Sequence, residues 1–455
     1  MRRFGRATVG WWAGMCGVWM LAVPGAAAEP VHVQPQTELH DEVGRRADAQ
    51  LADLVSLYKE LHGHPELSLH EARTAGRVAG LLREAGYSVT EKVGGCGVVS
   101  VKKNGAGPTV LIRADMDALP ITEETGVPYA SQGVVTRPDG TKTGVMHACG
   151  HDVHATVLVG VARTLTGLTD RWKGTVVLVL QPAEEIGKGA LMMLEAGLFE
   201  KFPKPDCCIA LHVASDMPVG QLGYTSGWCN ANVDSVNVTI YGKGGHGAAP
   251  HKAVDPIVTA AHVITALQTI VSRRVNPIED AVVTVGSIHG GTKHNIIPAQ
   301  VEMQLTVRSY TDEVRKLLLA SIEQITKDTC TMMGCAKPPT VVVNSRDTYT
   351  PAAYNDPALV AEAVKLFEQL VGKENVVEKP ATMGGEDFGR YAKALKVPGF
   401  MFRLGSVGAK RYEAATKAGE ALPGLHSPLY YPDPAPTIQM GVRTMSALAL
   451  SLLGK

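Results

Sequence analysis

Neither sign of charge is in excess in this chain, with Lys+Arg and Asp+Glu at 44 each over 455 residues. Without a bulk field, and with no basic run beyond the N-terminus, nucleic acid is set aside as a partner. Internal repeats and low-complexity segments are absent. A disulfide framework is absent too: beyond Cys16 the cysteines are Cys96, Cys149, Cys207, Cys208, Cys229, Cys330 and Cys335, an odd and irregularly spaced set. At least one thiol is therefore expected to stay free. At the N-terminus the apolar stretch 7–23 has a membrane anchor as its competing reading, but it is Gly-interrupted and slightly short for a span. It follows Arg2, Arg3 and Arg6 and ends in Pro24-Gly25-Ala26-Ala27-Ala28. That order of charged, apolar and small residues reads as a signal peptide over 1–28, giving an exported, periplasmic or secreted protein with no membrane attachment after cleavage.

What is present is material for two domains. The chain is 45% hydrophobic and 19% charged, enough for a core and too long for one compact domain. Leu51, Leu54, Val55, Tyr58 and Leu61 recur at helical spacing within 40–62, and a second helix is expected over 71–85. Short apolar strands at 110–113, 175–180 and 208–213 alternate with helices at 154–165 and 189–196. Apolar strands without polar alternation predict a mostly parallel sheet covered on both faces. The middle differs in kind. A half-exposed strand at 233–241, a helix at 256–272, strands at 281–289 and 299–310, a helix at 311–333 and a strand at 340–343 give the order β-α-β-β-α-β. That order describes an inserted α+β, ferredoxin-like lid domain. The organisation expected is a catalytic α/β domain in two parts, 40–222 and 346–455, around an insert at 223–345.

Five segments carry chemistry: Arg113-Ala-Asp115-Met-Asp117-Ala-Leu-Pro120, Met146-His147-Ala-Cys149-Gly-His151-Asp152-Val-His154, Gln181-Pro-Ala-Glu184-Glu185, Ala210-Leu-His212-Val213 and Leu425-His426-Ser-Pro428. The first four are read as strand ends, where parallel sheets bind ligands. Together they hold the His, Cys, Glu and Asp side chains that bind zinc- or manganese-like ions. Taken singly each is weak: a lone His212 is more often a satisfied core histidine, and a cysteine in apolar surroundings is usually a small hydrophobe. Cys149-Gly-His151 on an extended turn would put both side chains on one side, for neighbouring ions. Adjacent Glu184 and Glu185 repel unless a cation compensates, and one of them can stay free as a base. His147, His154, His62 and His64 read as structural. The glycines at 242, 244, 245 and 247 lack the GxxxxGK[ST] frame of a phosphate loop.

These segments resemble peptidase family M20 amidohydrolases, in particular the subgroup of hippurate hydrolases, indole-acetyl-amino-acid hydrolases and N-acyl-amino-acid deacetylases. The likeness runs from LHGHPEL at 61–67 through RADMDALP, MHACGHDVH, QPAEE, GKGGHGAAPH at 242–251 and HNIIP at 294–298 to LHSP at 425–428. The resemblance implies that Cys149, His151, Glu185, His212 and His426 ligate two divalent ions, zinc or manganese. It makes Glu184 the general base and gives Asp117 an orienting role. Cys149 stands where other branches use a bridging aspartate. His246 and Asn295 match residues that polarise the substrate carbonyl as the lid closes, and Arg308 is a candidate for holding a substrate carboxylate. Two segments depart from the pattern: Gly384-Gly385-Glu386-Asp387-Phe388 has Gly where Ser is usual, and Trp228-Cys229-Asn230-Ala231-Asn232 is less apolar than its counterparts.

The reading is metal-dependent hydrolysis of the amide bond of small N-acyl amino acids, giving a carboxylic acid and a free amino acid. The nearest alternative is a dipeptidase or carboxypeptidase acting on short peptides. A Cys149–His151 thiol nucleophile leaves the glutamate pair unexplained, and a non-catalytic binding protein has no use for a free Glu184. An exposed sheet edge in the insert could support a homodimer.

Overall fold

The structure, a computed structural model, describes residues 37–137, 139–344 and 349–454. The leader expected at 1–28 and the junction at 345/346 lie outside the described residues. The chain opens with α1 (Thr37–Ala49), α2 (Leu51–His62) and α3 (Ala72–Glu84). It continues through β1 (Ser88–Thr90), β2 (Val98–Asn104), β3 (Thr109–Asp115), α4 (His151–Thr166), β4 (Gly174–Gln181), α5 (Gly189–Glu195), β5 (Cys207–Pro218) and β6 (Leu222–Tyr224). The insert holds β7 (Asn232–Tyr241), α6 (Pro256–Thr269), β8 (Ala281–His289), β9 (Gln300–Ser309), α7 (Asp312–Met332) and β10 (Thr340–Val343). The chain returns with α8 (Pro357–Val371), β11 (Val376–Glu378), β12 (Gly399–Val407) and α9 (Pro434–Leu452).

The pattern expected as one helix over 40–62 is broken at Gln50. The Gln50 side-chain amide donates to Gly160 O at 3.1 Å and Thr164 Oγ1 at 2.9 Å on α4. Its backbone leaves the helical region there, at φ −106° and ψ 1°. A tertiary contact thus overrides local periodicity.

The main sheet runs β1-β2-β4-β3-β5-β12-β6-β11. Its centre is parallel, with Ile112 facing Leu178 on one side and Ile209 on the other. Antiparallel joins occur at β1–β2, β2–β4 and β12–β6. Helices cover both faces, so the central strands are buried over most of their length and need no polar alternation. Leu111, Val177, Val179, Cys208, Ala210 and Met401 pack on one face against Met193 of α5 and against Phe388 and Tyr391. On the other face lie α4 and α9. A Cβ on Gly441 of α9 would come within 2.8 Å of Val157 of α4 and 3.0 Å of Leu404 of β12. Each fully buried aliphatic side chain here contributes about 1.5–3 kcal/mol.

The second sheet, β8-β9-β7-β10, is antiparallel throughout. Val236, Val238 and Ile240 alternate inward on β7 and meet Val263 and Leu267 of α6 and Leu318 and Ile322 of α7. Asp255 and Thr311 cap these helices, accepting from Ile257 N at 2.8 Å and Val314 N at 3.3 Å. The helix-free face carries Val233, Ser235 and Arg308 towards the parallel strands and helps line the cavity described next.

Candidate metal centre

Backbone turns, more than strand ends, aim the side chains. After β4 the chain reverses at Ala183, a non-glycine residue in the left-handed region at φ 51°. The turn closes with Gly187 N donating to Glu184 O at 2.7 Å, so that Glu184 and Glu185 leave the sheet together. Cys149 and His151 do not sit on an extended turn. Gly150 has φ 77° and caps α4, of which His151 is the first residue. A Cβ there would meet Val213 at 2.5 Å, so the close approach of this turn to β5 needs glycine. His212 lies within β5 rather than at its end, because that strand continues to Pro218. His426 is also left-handed, at φ 66°, and its N–H donates to Ala148 O at 2.9 Å. That bond ties the C-terminal loop to the cysteine segment. Strained backbone of this sort costs about 1–3 kcal/mol and persists where the surroundings over-determine it.

The donor atoms converge in two triads that share one thiol: Cys149, His151 and His212, and Cys149, Glu185 and His426, with the atoms of each triad within 4.8 Å of one another. Cys149 Sγ is 3.5 Å from His212 Nε2, and His426 Nε2 is 3.5 Å from Glu185 Oε2. Glu184 joins a third group with His151 and Glu185. Outer contacts fix the imidazoles. His151 Nδ1 donates to Asp117 O at 2.9 Å and sits 3.2 Å from Asp117 Oδ1, which leaves Nε2 facing the cluster. His212 Nδ1 donates to Val213 O at 2.8 Å, again freeing Nε2. Asp117 Oδ2 accepts from Glu185 N at 3.0 Å and Ser68 Oγ at 2.6 Å, so one carboxylate orients two of the triad members.

A cation fits this arrangement. His151 Nε2 and Glu185 Oε1 are buried and have no hydrogen-bond partner. Burial, then Glu386, Glu185 and Asp387, pushes the Glu184 carboxyl well above its usual range. Burial carries Glu185 up to about 7. Burial and Glu185 likewise raise the Cys149 thiol. Burial, His154 and Arg403 hold His212 well below its ordinary value, so its ring is neutral and its lone pair available. A thiol, imidazoles and crowded carboxylates are the donor set of zinc- and manganese-like ions, whose charge would reverse these carboxyl and thiol shifts.

Beneath the cluster lies a buried network built on Arg113, Asp115, Gln181, Glu386 and Asp387, to which the sequence assigned no roles. Arg113 donates to Asp115 Oδ2 at 2.6 Å, Glu386 Oε1 at 2.9 Å, Asp387 Oδ1 at 3.2 Å and Gln181 Oε1 at 2.9 Å. Asp115 also bonds His154 Nδ1 at 2.5 Å, and His154 Nε2 accepts from Val213 N at 3.0 Å. His154 thus links β3 to β5. His62 is buried between Asp152 at 2.7 Å and Glu123 at 3.1 Å, whereas His64 has only a backbone bond to Glu60 O.

A cavity of about 760 Å³ opens beside the cluster, lined among others by Cys149, Glu184, Glu185, His212, His426 and Arg308. His246 and Asn295 are not in that lining. They neighbour each other on the insert, with His246 paired to Ile296 and Gly247 N donating to Asn295 O at 2.8 Å. His246 is exposed, and its Nδ1 accepts from Ala248 N at 3.0 Å. All seven cysteines among the described residues are free thiols. No helix among the described residues is long and apolar enough to cross a membrane.

A family model for peptidase family M20/M25/M40 matches residues 111–422. A probable hydrolase of Synechocystis is 38% identical over 416 residues, covering 90% of this chain and 98% of the relative. The N-acetyldiaminopimelate deacetylase of Bacillus cytotoxicus is 38% identical over 361 residues, covering 78% of this chain and 90% of the relative. Among solved structures, a Bacillus subtilis dinuclear metal-binding peptidase from the M20 family superposes with a TM-score of 0.72 at 30% identity, covering 89% of this chain and 99% of that one.

Proposed function

The chain belongs to peptidase family M20/M25/M40 and is a metal-dependent amide hydrolase; from that premise we propose that it cleaves small N-acyl amino acids into a carboxylic acid and a free amino acid. The observation that carries the reading is Glu184, which lines the cavity beside two metal-type triads and belongs to neither. Asp115, Glu386 and Asp387 are tied to Arg113 and Asp117 to His151, whereas Glu184 faces the cavity. The Bacillus cytotoxicus relative, named a deacetylase, supports an N-acyl substrate.

Cys149, His151 and His212 would hold one ion, and Cys149, Glu185 and His426 the other, zinc or manganese by donor type. Bound divalent ions supply Lewis acidity, which lowers the pKa of water towards neutrality and polarises a carbonyl. Glu184 accepts the proton of the attacking water and then delivers it to the leaving amine, a role worth about 10²–10⁴ in rate. His246 and Asn295 reach the carbonyl oxygen when the insert closes over the cavity, where a preorganised donor contributes about 10²–10³. Arg308, half-buried on the cavity wall, holds the carboxylate of the amino-acid half. Export after cleavage near residue 28 belongs to the same proposal, and so does a homodimer through the insert. N-terminal sequencing of the secreted protein and light scattering test them.

The substrate test is amine release from a panel of N-acetyl, N-benzoyl and long-chain N-acyl amino acids beside dipeptides, with metal-stripped and metal-loaded protein. Metal-dependent release from the acyl series is the expected outcome. Cleavage of dipeptides alone replaces it with the peptidase reading.

A further inference from the structure

Other cations of the two domains near the cavity already have an acid. Arg113 has Asp115, Glu386 and Asp387, and Lys379 pairs with Asp216 at 2.6 Å. On the insert, Arg315 takes both oxygens of Asp234 at 2.6 and 2.7 Å. Arg308 and Arg403 are different. Both line the cavity and both are half-buried, yet among the described residues neither has a carboxylate within salt-bridge distance. Arg308 donates from Nε to Thr306 Oγ1 at 2.9 Å, and Arg403 reaches only Asn230 Oδ1, at 3.4 Å. A guanidinium presents five donors and never loses its charge, so withdrawing it from water without an acceptor is unfavourable. The nearby acids cannot supply one. Glu386 and Asp387 are committed to Arg113, and Asp387 also accepts from Gln181 and Ala190 N.

The two arginines border the same piece of backbone. A Cβ on Gly385 would lie 3.6 Å from Arg308 Nη1, and one on Gly384 would lie 3.8 Å from Nδ2 of Asn230, the partner of Arg403. Gly384 O also accepts from Ala231 N at 3.0 Å, which locks the step against the Asn230 strand. These are the two segments that depart from the family pattern. The bare Gly384-Gly385 step therefore lies between Arg308 and the Asn230 that Arg403 bonds, and both arginines line the same cavity. Arg403 is also the register partner of His212, which places it close to the metal-type cluster.

We propose that Arg308 and Arg403 together read two carboxylates on the amino-acid half of the substrate, so that the enzyme prefers N-acyl aspartate or glutamate over N-acyl derivatives of neutral amino acids. The inference rests on the amidohydrolase reading above and narrows its substrate class. An acid on the acyl half would sit across the scissile bond from the α-carboxylate, whereas both arginines flank one Gly-Gly step. The α- and side-chain carboxylates of aspartate or glutamate are joined by a short carbon spacer and suit that placement. Charge-assisted, forked pairing at a half-buried head gives about 10–100-fold selectivity.

The test is the ratio of kcat/KM for N-acetyl-glutamate over N-acetyl-glutamine, measured with metal-loaded wild type, Arg403→Gln and Arg403→Lys. The expected ratio is about 10–100 in wild type, with the difference carried by KM. It falls towards one in Arg403→Gln and stays above one in Arg403→Lys, which keeps the charge. A wild-type ratio near one overturns the inference while leaving the amidohydrolase standing, and needs no variant to fold. A ratio unchanged in Arg403→Gln also overturns it. If neither compound is hydrolysed while N-acyl derivatives of other amino acids are, the inference falls and the amidohydrolase reading stands; if no N-acyl amino acid is hydrolysed, the amidohydrolase reading falls as well.

Discussion

Replacing Asp117 by Asn probes how the site prepares its imidazole ligand. The Asp117 carboxylate is 1% exposed and meets three donors: His151 Nδ1, Glu185 N and Ser68 Oγ. An amide offers one oxygen and one NH₂ in its place. Ser68 can turn its hydroxyl round and accept, but the Glu185 N–H cannot, so the oxygen settles towards Glu185. The NH₂ then faces His151 Nδ1 and favours the tautomer protonated on Nε2, the atom that has to be free for a metal. Asp117 O, 2.9 Å from Nδ1, opposes the switch and limits the damage. Loss of an outer partner of this kind lowers metal affinity about 10–100-fold, or about 1.4–2.7 kcal/mol. Competition for zinc against a chromophoric chelator measures it, with circular dichroism to verify the fold. Unchanged zinc affinity in Asp117→Asn would refute the idea that this contact sets the ligand tautomer.

Two further outcomes follow from buried contacts away from the cluster. Burial alone would depress His62, but Asp152 and Glu123 overcome it and carry the imidazole from 6.5 up to about 9. Because the folded value is the higher one, the stabilisation, roughly 3 kcal/mol, is complete below pH 6.5 and disappears as pH climbs through 9. Thermal melts should therefore show wild type well above His62→Gln at pH 6 and the gap narrowing by pH 9; a gap independent of pH would contradict this. Gly160→Ala should destabilise by about 1–3 kcal/mol in denaturant titrations, since its Cβ would sit 2.4 Å from Val442 and 2.9 Å from Leu54. Unaltered stability would mean that α4 and α9 can shift apart freely.

Much of the framework was legible in the sequence because its signals are local. The apolar run at 175–180 reappears within β4, and the boundaries expected at 281–289 and 340–343 match β8 and β10. The residue types of a metal site were legible, and the fold brings Cys149, His151, Glu185, His212 and His426 close to one another. What periodicity could not reveal is set by tertiary contact. α4 begins three residues earlier than the expected 154 because left-handed Gly150 caps it against Val213. The break at Gln50 depends on α4, more than a hundred positions away. The Arg113 network joins residues 273 and 274 positions apart, so RADMD and GGEDF could be seen as motifs but not as partners. His246 and Asn295 stand together as neighbours but outside the cavity lining, and their part in the chemistry depends on a closure of the insert.

In the proposed mechanism Glu184 moves protons while its neighbours hold metal. Glu184→Gln keeps the shape and removes the base, so metal content and the rate of amine release from an N-acyl amino acid should be measured on the same sample. The expected result is a fall in kcat of about 10²–10⁴ with two divalent ions per chain and KM retained. Loss of bound metal in step with the lost rate would contradict the account and make Glu184 a ligand.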